Sequence, residues 1–224
     1  MWHSGDMVDY TGCVMSIGPS GRGSDETGYA IVKMLAGNLY LVACGGLLGG
    51  YSNETLQTLA RLAKMHQVKQ IIIEANFGDG MYTQLIKPVL GQIYPCSVEE
   101  VKHSTQKEAR IIDTLEPVLS THRLIVDQRL IQTDFDSAKD VKYSLFYQMT
   151  RITRDRGALV HDDRLDAMAM AVGYWVEHMS RDNNKAADQI KSEALDRELK
   201  NFMAHALGQP SKQTTWMGWN EASR

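Results

Sequence analysis

Short apolar runs separated by turn residues set the rhythm of the first half of this chain. Residues 11–17 read as a strand, closed by the turn-rich Gly18-Pro19-Ser20-Gly21-Arg22-Gly23. Two further β-branched or aromatic runs, 28–35 and 38–43, flank Ala36-Gly37-Asn38 and predict a hairpin. After a Gly-rich loop over 45–50, Ser52 stands where an N-cap belongs, and Leu56, Leu59, Ala60 and Ala63 recur at helical spacing. The run 68–73 predicts a strand that delivers Glu74 at its C-terminal end. A loop containing Asn76, Gly78 and Gly80 then opens a helix from Met81 to about Leu90.

The second half is more helical. Ile111, Ile112, Leu115 and Leu119 define one side of a helix over 106–119, and Leu124-Ile125-Val126 is a short strand. The stretch 145–156 mixes aromatic, apolar and basic residues and fits either a helix or a hairpin, whereas 165–178 is an Ala-rich apolar helix. Three strands, a helix, a strand, helices, a strand and a helix describe an α/β domain, a mixed five-stranded sheet flanked by helices. This order resembles the RNase H-like fold, in which the ends of the first and fourth strands meet the last helix. Gly18, Glu74 and Asp163 fall at those places. Beyond Met179 the chain turns polar, with only a thin stripe of Ile190, Leu195, Leu199 and Met203. The expected division is a domain over 1–179 and a helical or poorly ordered C-terminal tail over 180–224, its last stretch carrying Pro210, Trp216 and Trp219.

Composition narrows the class without deciding it. A hydrophobic content of 43% and a charged content of 23% are ordinary for a globular protein. No apolar run approaches the roughly 20 residues that cross a bilayer, and the first residues lack the regions of a signal peptide. Cys13, Cys44 and Cys96 lie in or beside apolar segments without disulfide or metal spacing, and read as reduced thiols. A formal net charge of −3 neither supports nor excludes nucleic-acid binding, because carboxylates of a nuclease centre count against a basic groove.

The chemistry concentrates at His161-Asp162-Asp163-Arg164-Leu165-Asp166, where three carboxylates open an apolar helix. Acids at a helix start are favoured by the dipole, which by itself accounts for Asp162 or Asp163. It does not account for Glu74 at a strand end beside a Gly-rich loop. Charge that dense beside a buried helix needs a cation, and a divalent metal is the economical one. Asp163 and Asp166 share a helix face while Asp162 points elsewhere, so Asp163 is the better ligand, with Asp166 outside it. The segment Gly18-Pro19-Ser20-Gly21-Arg22-Gly23-Ser24 mimics a phosphate-binding loop but lacks its Lys and leads into a strand, which excludes a nucleotide triphosphatase. Lys142, Arg151, Arg154, Arg156 and Arg164, interleaved with Tyr143, Phe146 and Tyr147, form a candidate phosphate-contacting set for duplex DNA; each can equally be a solvated surface charge. Lys102, Lys107 and Arg110 form a second basic segment.

These segments together resemble the nuclease domain of large terminase subunits from short-tailed double-stranded DNA phages. The resemblance covers about residues 13 to 178. It rests on Pro19-Ser20-Gly21-Arg22-Gly23 with Asp25-Glu26-Thr27-Gly28-Tyr29, on Glu74-Ala75-Asn76-Phe77-Gly78-Asp79-Gly80, and on Asp113-Thr114-Leu115-Glu116-Pro117. It continues through the block from Tyr143 to Arg154 and through His161-Asp162-Asp163-Arg164-Leu165-Asp166-Ala167. The resemblance implies an endonuclease that cuts concatemeric viral DNA by two-metal hydrolysis with Mg²⁺ or Mn²⁺. It implies Glu74 and Asp163 as metal ligands, with Asp25, Asp162 or Asp166 assisting. The implied partners are double-stranded DNA, the ATPase domain of the same terminase, the portal and the small terminase subunit, all in the host cytoplasm and none in a membrane. No ATPase motif is present, so the chain looks like the nuclease half alone.

One departure outweighs the matches. The family pattern places an Asp directly before Pro19-Ser20, where this sequence has Gly18. The resemblance implies that this Asp bridges both ions, so the expected catalytic set of Glu74, Asp163 and position 18 is one carboxylate short. Two alternatives stand beside an impaired terminase nuclease: another RNase H-like nuclease such as a junction resolvase, and a non-catalytic module docking on the portal or the ATPase domain.

Overall fold

A computed structural model describes residues 9–20, 25–75 and 80–206. The strands are β1 (Gly12–Gly18), β2 (Thr27–Leu35), β3 (Asn38–Leu47), β4 (Gln70–Glu74), β5 (Ser97–Val101) and β6 (Leu124–Val126). The helices are α1 (Asn53–Met65), α2 (Met81–Ile93), α3 (Lys107–Ser120), α4 (Gln128–Ser137), α5 (Leu145–Arg151) and α6 (Asp163–Ala206). A 3₁₀ turn, Val141–Tyr143, leads into α5. Two compact units are distinguished, the first ending at Met179. In the second, 180–200 is helical and solvent-exposed throughout.

The sheet is mixed, in the order β5-β4-β1-β2-β3-β6. β1 pairs antiparallel with β2, and β2 with β3; β1–β4, β4–β5 and β3–β6 are parallel. Side-chain alternation sends the strands' apolar residues to opposite faces. Cys13, Met15, Ile17, Ile71 and Ile73 pack with Leu56, Leu59 and Ala60 of α1 and Tyr82 and Ile86 of α2. Val14 and Ile72 face the other way, against Ile111 and Leu115 of α3 and Leu165, Met168 and Val172 of α6.

Two glycines let α6 lie close on that face. A Cβ on Gly28 would stand 2.3 Å from the Asp163 carbonyl oxygen, and one on Gly12 would stand 2.5 Å from the Trp175 ring. Trp175 Nε1 donates to the Val32 carbonyl at 3.1 Å, and the Ser16 hydroxyl donates to the Ala167 carbonyl. These contacts tie both ends of the buried part of α6 to β1 and β2.

Several elements differ from expectation. The sheet has six strands, not five: β5 was invisible to apolar patterning because Ser97-Val98-Glu99-Glu100-Val101 is a largely exposed, charged edge strand. β3 runs on through Gly45 and Gly46 to Leu47, into what read as loop. A Cβ on Gly46 would collide with the Glu26 carboxylate, so a residue that reads as a loop former is there for close packing. The stretch 145–156 resolves as the short helix α5 followed by coil, and α4 had no expectation at all. The loop residues Gly21, Arg22, Gly23, Asn76, Phe77, Gly78 and Asp79, and the last stretch 208–224, lie outside the described residues.

Candidate nuclease centre

β1 and β4 are parallel neighbours in register up to Ile17 opposite Ile73, so their next residues, Gly18 and Glu74, end adjacent strands side by side. Ile17 and Ile73 point to the α1–α2 side, so alternation turns position 18 and Glu74 toward α6. Position 18 does not need the absence of a side chain for backbone conformation, because it is not among the left-handed residues. It does not need it for space either: the nearest atoms to an added Cβ are the carbonyl oxygens of Asp163 and Gly28, both at 4.0 Å. A Cβ there fits and would face the start of α6.

That start is held from several sides. The Asp162 carbonyl accepts the Asp166 amide at 2.8 Å, and Gln148 Oε1 of α5 accepts the Leu165 amide at 3.0 Å. His161, just before it, stacks on Tyr143 at 3.7 Å between ring centroids. Burial, opposed by Lys107 and reinforced by Asp162, Asp25 and Glu26, pushes the Asp163 carboxyl up to about 6. Burial likewise raises Glu74, with Asp166 adding to it and Lys107 and Arg110 opposing.

Two cations from α3 meet the acids. Lys107 Nζ lies 2.8 Å from Asp162 Oδ1 and 3.2 Å from Asp166 Oδ2. Arg110 Nη2 lies 2.7 Å from Asp166 Oδ1 and 3.8 Å from Glu74 Oε1. Burial alone would depress the Lys107 ammonium, but Asp166 and Asp162 outweigh it and raise its pKa. Lys107 and Arg110 belonged to a basic segment whose role sequence left undefined. Their spacing of three on one helix was the available signal that they share a target.

The candidate ligands therefore divide. Glu74 ends β4 beside position 18, which faces the Asp163 carbonyl at the start of α6, and Asp25, exposed just before β2, is close enough to raise Asp163. Asp162 and Asp166 are instead engaged by α3, Asp166 almost completely buried. Among the described residues no three of His, Cys, Asp and Glu converge as a ligand set. With Gly18 in place and α3 cations on two of the acids, the residues present do not fit a two-ion centre.

The candidate DNA contacts divide too. Arg164 is a correction: it is fully buried and cannot reach a phosphate. Its Nε donates to Glu26 Oε2 at 3.0 Å and its Nη1 to Asp134 Oδ1 at 2.8 Å, a buried knot joining α6, the entry to β2 and α4. Sequence could not show this, because the partners lie 138 and 30 positions away. Arg154 is exposed but pairs with Asp113 at 2.7 Å and Glu116 at 3.6 Å. Arg156 is exposed, and Lys142 and Arg151 are exposed on the rim of a cavity of about 230 Å³ shared with Tyr147, Leu159, Val160 and His161.

A mixed sheet of this order, with position 18 and Glu74 ending adjacent strands on the side of the last helix, defines an RNase H-like domain. Residues 17–124 match the family model described as Terminase Bacteriophage T7, Ribonuclease H-like domain. Over 200 residues, 87% of this chain, it is 44% identical to the terminase large subunit of Enterobacteria phage T3, spanning 33% of that protein. The nuclease domain of the large terminase subunit of bacterial virus Sf6 is similar in fold, with a TM-score of 0.53, 15% identity, and coverage of 75% of this chain and 90% of that one. So is the human cytomegalovirus terminase nuclease domain, soaked with Mn and bound to an inhibitor: TM-score 0.53, 16% identity, 75% and 85% covered. The terminase RNase H-like family match covers residues 17–124, and the chain spans about a third of the length of the curated relative it matches.

Proposed function

We propose that this chain is the DNA-cleaving domain of a viral packaging terminase, with its cut impaired at position 18. The observation that carries the reading is geometric. The ends of β1 and β4 put position 18 and Glu74 side by side, and a Cβ added at position 18 would meet nothing closer than the Asp163 and Gly28 carbonyl oxygens at 4.0 Å. An Asp there would complete a set of three acids of the kind that binds hard divalent cations. The Mn soak of the cytomegalovirus domain supports Mn²⁺ or Mg²⁺ as the ion an intact centre would take. In the assembled terminase the partners would be concatemeric duplex DNA, the ATPase domain, the portal and the small subunit. The 44% identity to a large terminase subunit supports this reading over a junction resolvase.

The test is restoration. Native chain and Gly18→Asp are compared on supercoiled plasmid with Mn²⁺. The Asp variant is expected to nick at least about 100-fold faster, which is ~2.7 kcal/mol of barrier, and Glu74→Ala added to it should abolish the gain. Robust cutting by the native chain would remove the impairment. An inert Gly18→Asp that folds normally would remove the nuclease assignment.

A further inference from the structure

The acid cluster of this chain is crowded, and it already holds cations. Near the end of β4 and the start of α6, Lys107 and Arg110 of α3 bridge Asp162, Asp166 and Glu74. A divalent ion such as Mg²⁺ binds carboxylate oxygens at about 2.0–2.1 Å and needs their lone pairs directed at it. Lys107 Nζ takes those lone pairs on Asp162 and Asp166, at 2.8 and 3.2 Å. The two cations are not equivalent. Arg110 is largely buried, its guanidinium seated on Asp166. The Lys107 side chain is 37% exposed and sits on a flexible stem that can swing to solvent.

On the reading that this is a terminase nuclease centre, we propose that Lys107 is the resident counter-cation of the acid cluster, holding it together without metal and competing with any divalent ion for Asp162 and Asp166. Loss of a carboxylate at position 18 and retention of an ammonium act in the same direction. The first lowers the attraction for a metal, and the second supplies positive charge from within the chain. Lys107 is thus a positioning residue that keeps the carboxylates assembled while raising the concentration of ion needed to enter. Arg110 is a fixed part of the wall.

The measurement is Mn²⁺ binding by calorimetry, with thermal melts in EDTA and in Mn²⁺, on the native chain, Lys107→Met, Gly18→Asp and the double variant. Lys107→Met should melt lower than the native chain in EDTA, recover in Mn²⁺, and bind Mn²⁺ at least about tenfold more tightly in both backgrounds. Lys107→Arg, which keeps the charge, should behave as the native chain. Lys107→Gln, measured alongside, gives the same readouts if Lys107→Met does not fold. Unchanged Mn²⁺ affinity in folded Lys107→Met or Lys107→Gln overturns the proposal. If those variants lose duplex DNA binding instead, the lysine is a phosphate contact and the proposal also falls. A Gly18→Asp that binds Mn²⁺ and cuts while Lys107→Met leaves affinity unchanged sinks only the lysine assignment. A Gly18→Asp that neither binds nor cuts sinks the nuclease reading, and the competition with it.

Discussion

Arg164 shows how far a residue's role depends on where its charge ends up. Read along the chain it is one basic residue in an acidic helix start; in the fold it is the largest fully buried side chain, held between Glu26 and Asp134. Asp134 also accepts the Ser144 hydroxyl at 2.7 Å, so the knot reaches the start of α5. A buried pair adds little beyond an apolar equivalent, but removing one partner strands the other charges. Arg164→Met is expected to destabilise the domain by about 3–5 kcal/mol, read as a lower urea midpoint. Adding Glu26→Gln and Asp134→Asn should return much of that loss. A single variant that loses under about 1 kcal/mol would show that the knot is not what fixes the start of α6.

At the scale of elements, α1 illustrates a helix whose limits were readable and whose electrostatics were not. Ser52 accepts the Thr55 amide at the N-cap, as the sequence pattern predicts. His66 ends the helix, its amide donating to the Leu62 carbonyl, beside a cavity lined by Lys33, Lys69, Gln67 and Asp9. Burial, with Lys33 adding to it, holds the His66 imidazole below its ordinary value of 6.5. The unfolded chain therefore takes up this proton first as pH falls. The contribution of His66 is complete above pH 6.5 and is lost as pH drops through the lower folded value. Thermal melts between about pH 7 and 5 should fall less steeply for His66→Gln than for the native chain. Parallel slopes would show that the imidazole ionises equally in both states.

For the whole molecule, a net charge of −3 hides an uneven surface. Asp162 and Asp166 at the start of α6 are met by Lys107 and Arg110 of α3, whereas Lys142 and Arg151 face solvent beside Tyr147. If duplex DNA lies along that rim, each phosphate contact releases counterions and steepens the dependence of affinity on salt. Replacing Lys142 and Arg151 together by Ala should flatten the slope of log K against log salt by about 2. Anisotropy of a labelled duplex over a salt series measures it. Replacement of Arg154, already paired with Asp113 and Glu116, should change the slope less.

Sequence alone determined the helices and strands with strong apolar period. These include the hairpin of β2 and β3, α1 with its cap, β4 ending in Glu74, and the apolar part of α6 behind its acids. Gly18 stood out only through the family resemblance, whose pattern has an Asp directly before Pro19-Ser20. Sequence missed β5, whose exposed charged residues carry no apolar period, and α4, whose apolar Ile131 and Phe135 are exposed while Asp134 is its buried residue, and it placed Arg164 on the wrong side of the surface. Which acids stand together and which are claimed by cations was decided by tertiary structure. Lys107 and Arg110 reach Asp162 and Asp166 from 55 and 56 positions away. Ion pairing acts through a few ångströms of space, and only the packing of α3 and α6 on the sheet brings those charges within its range.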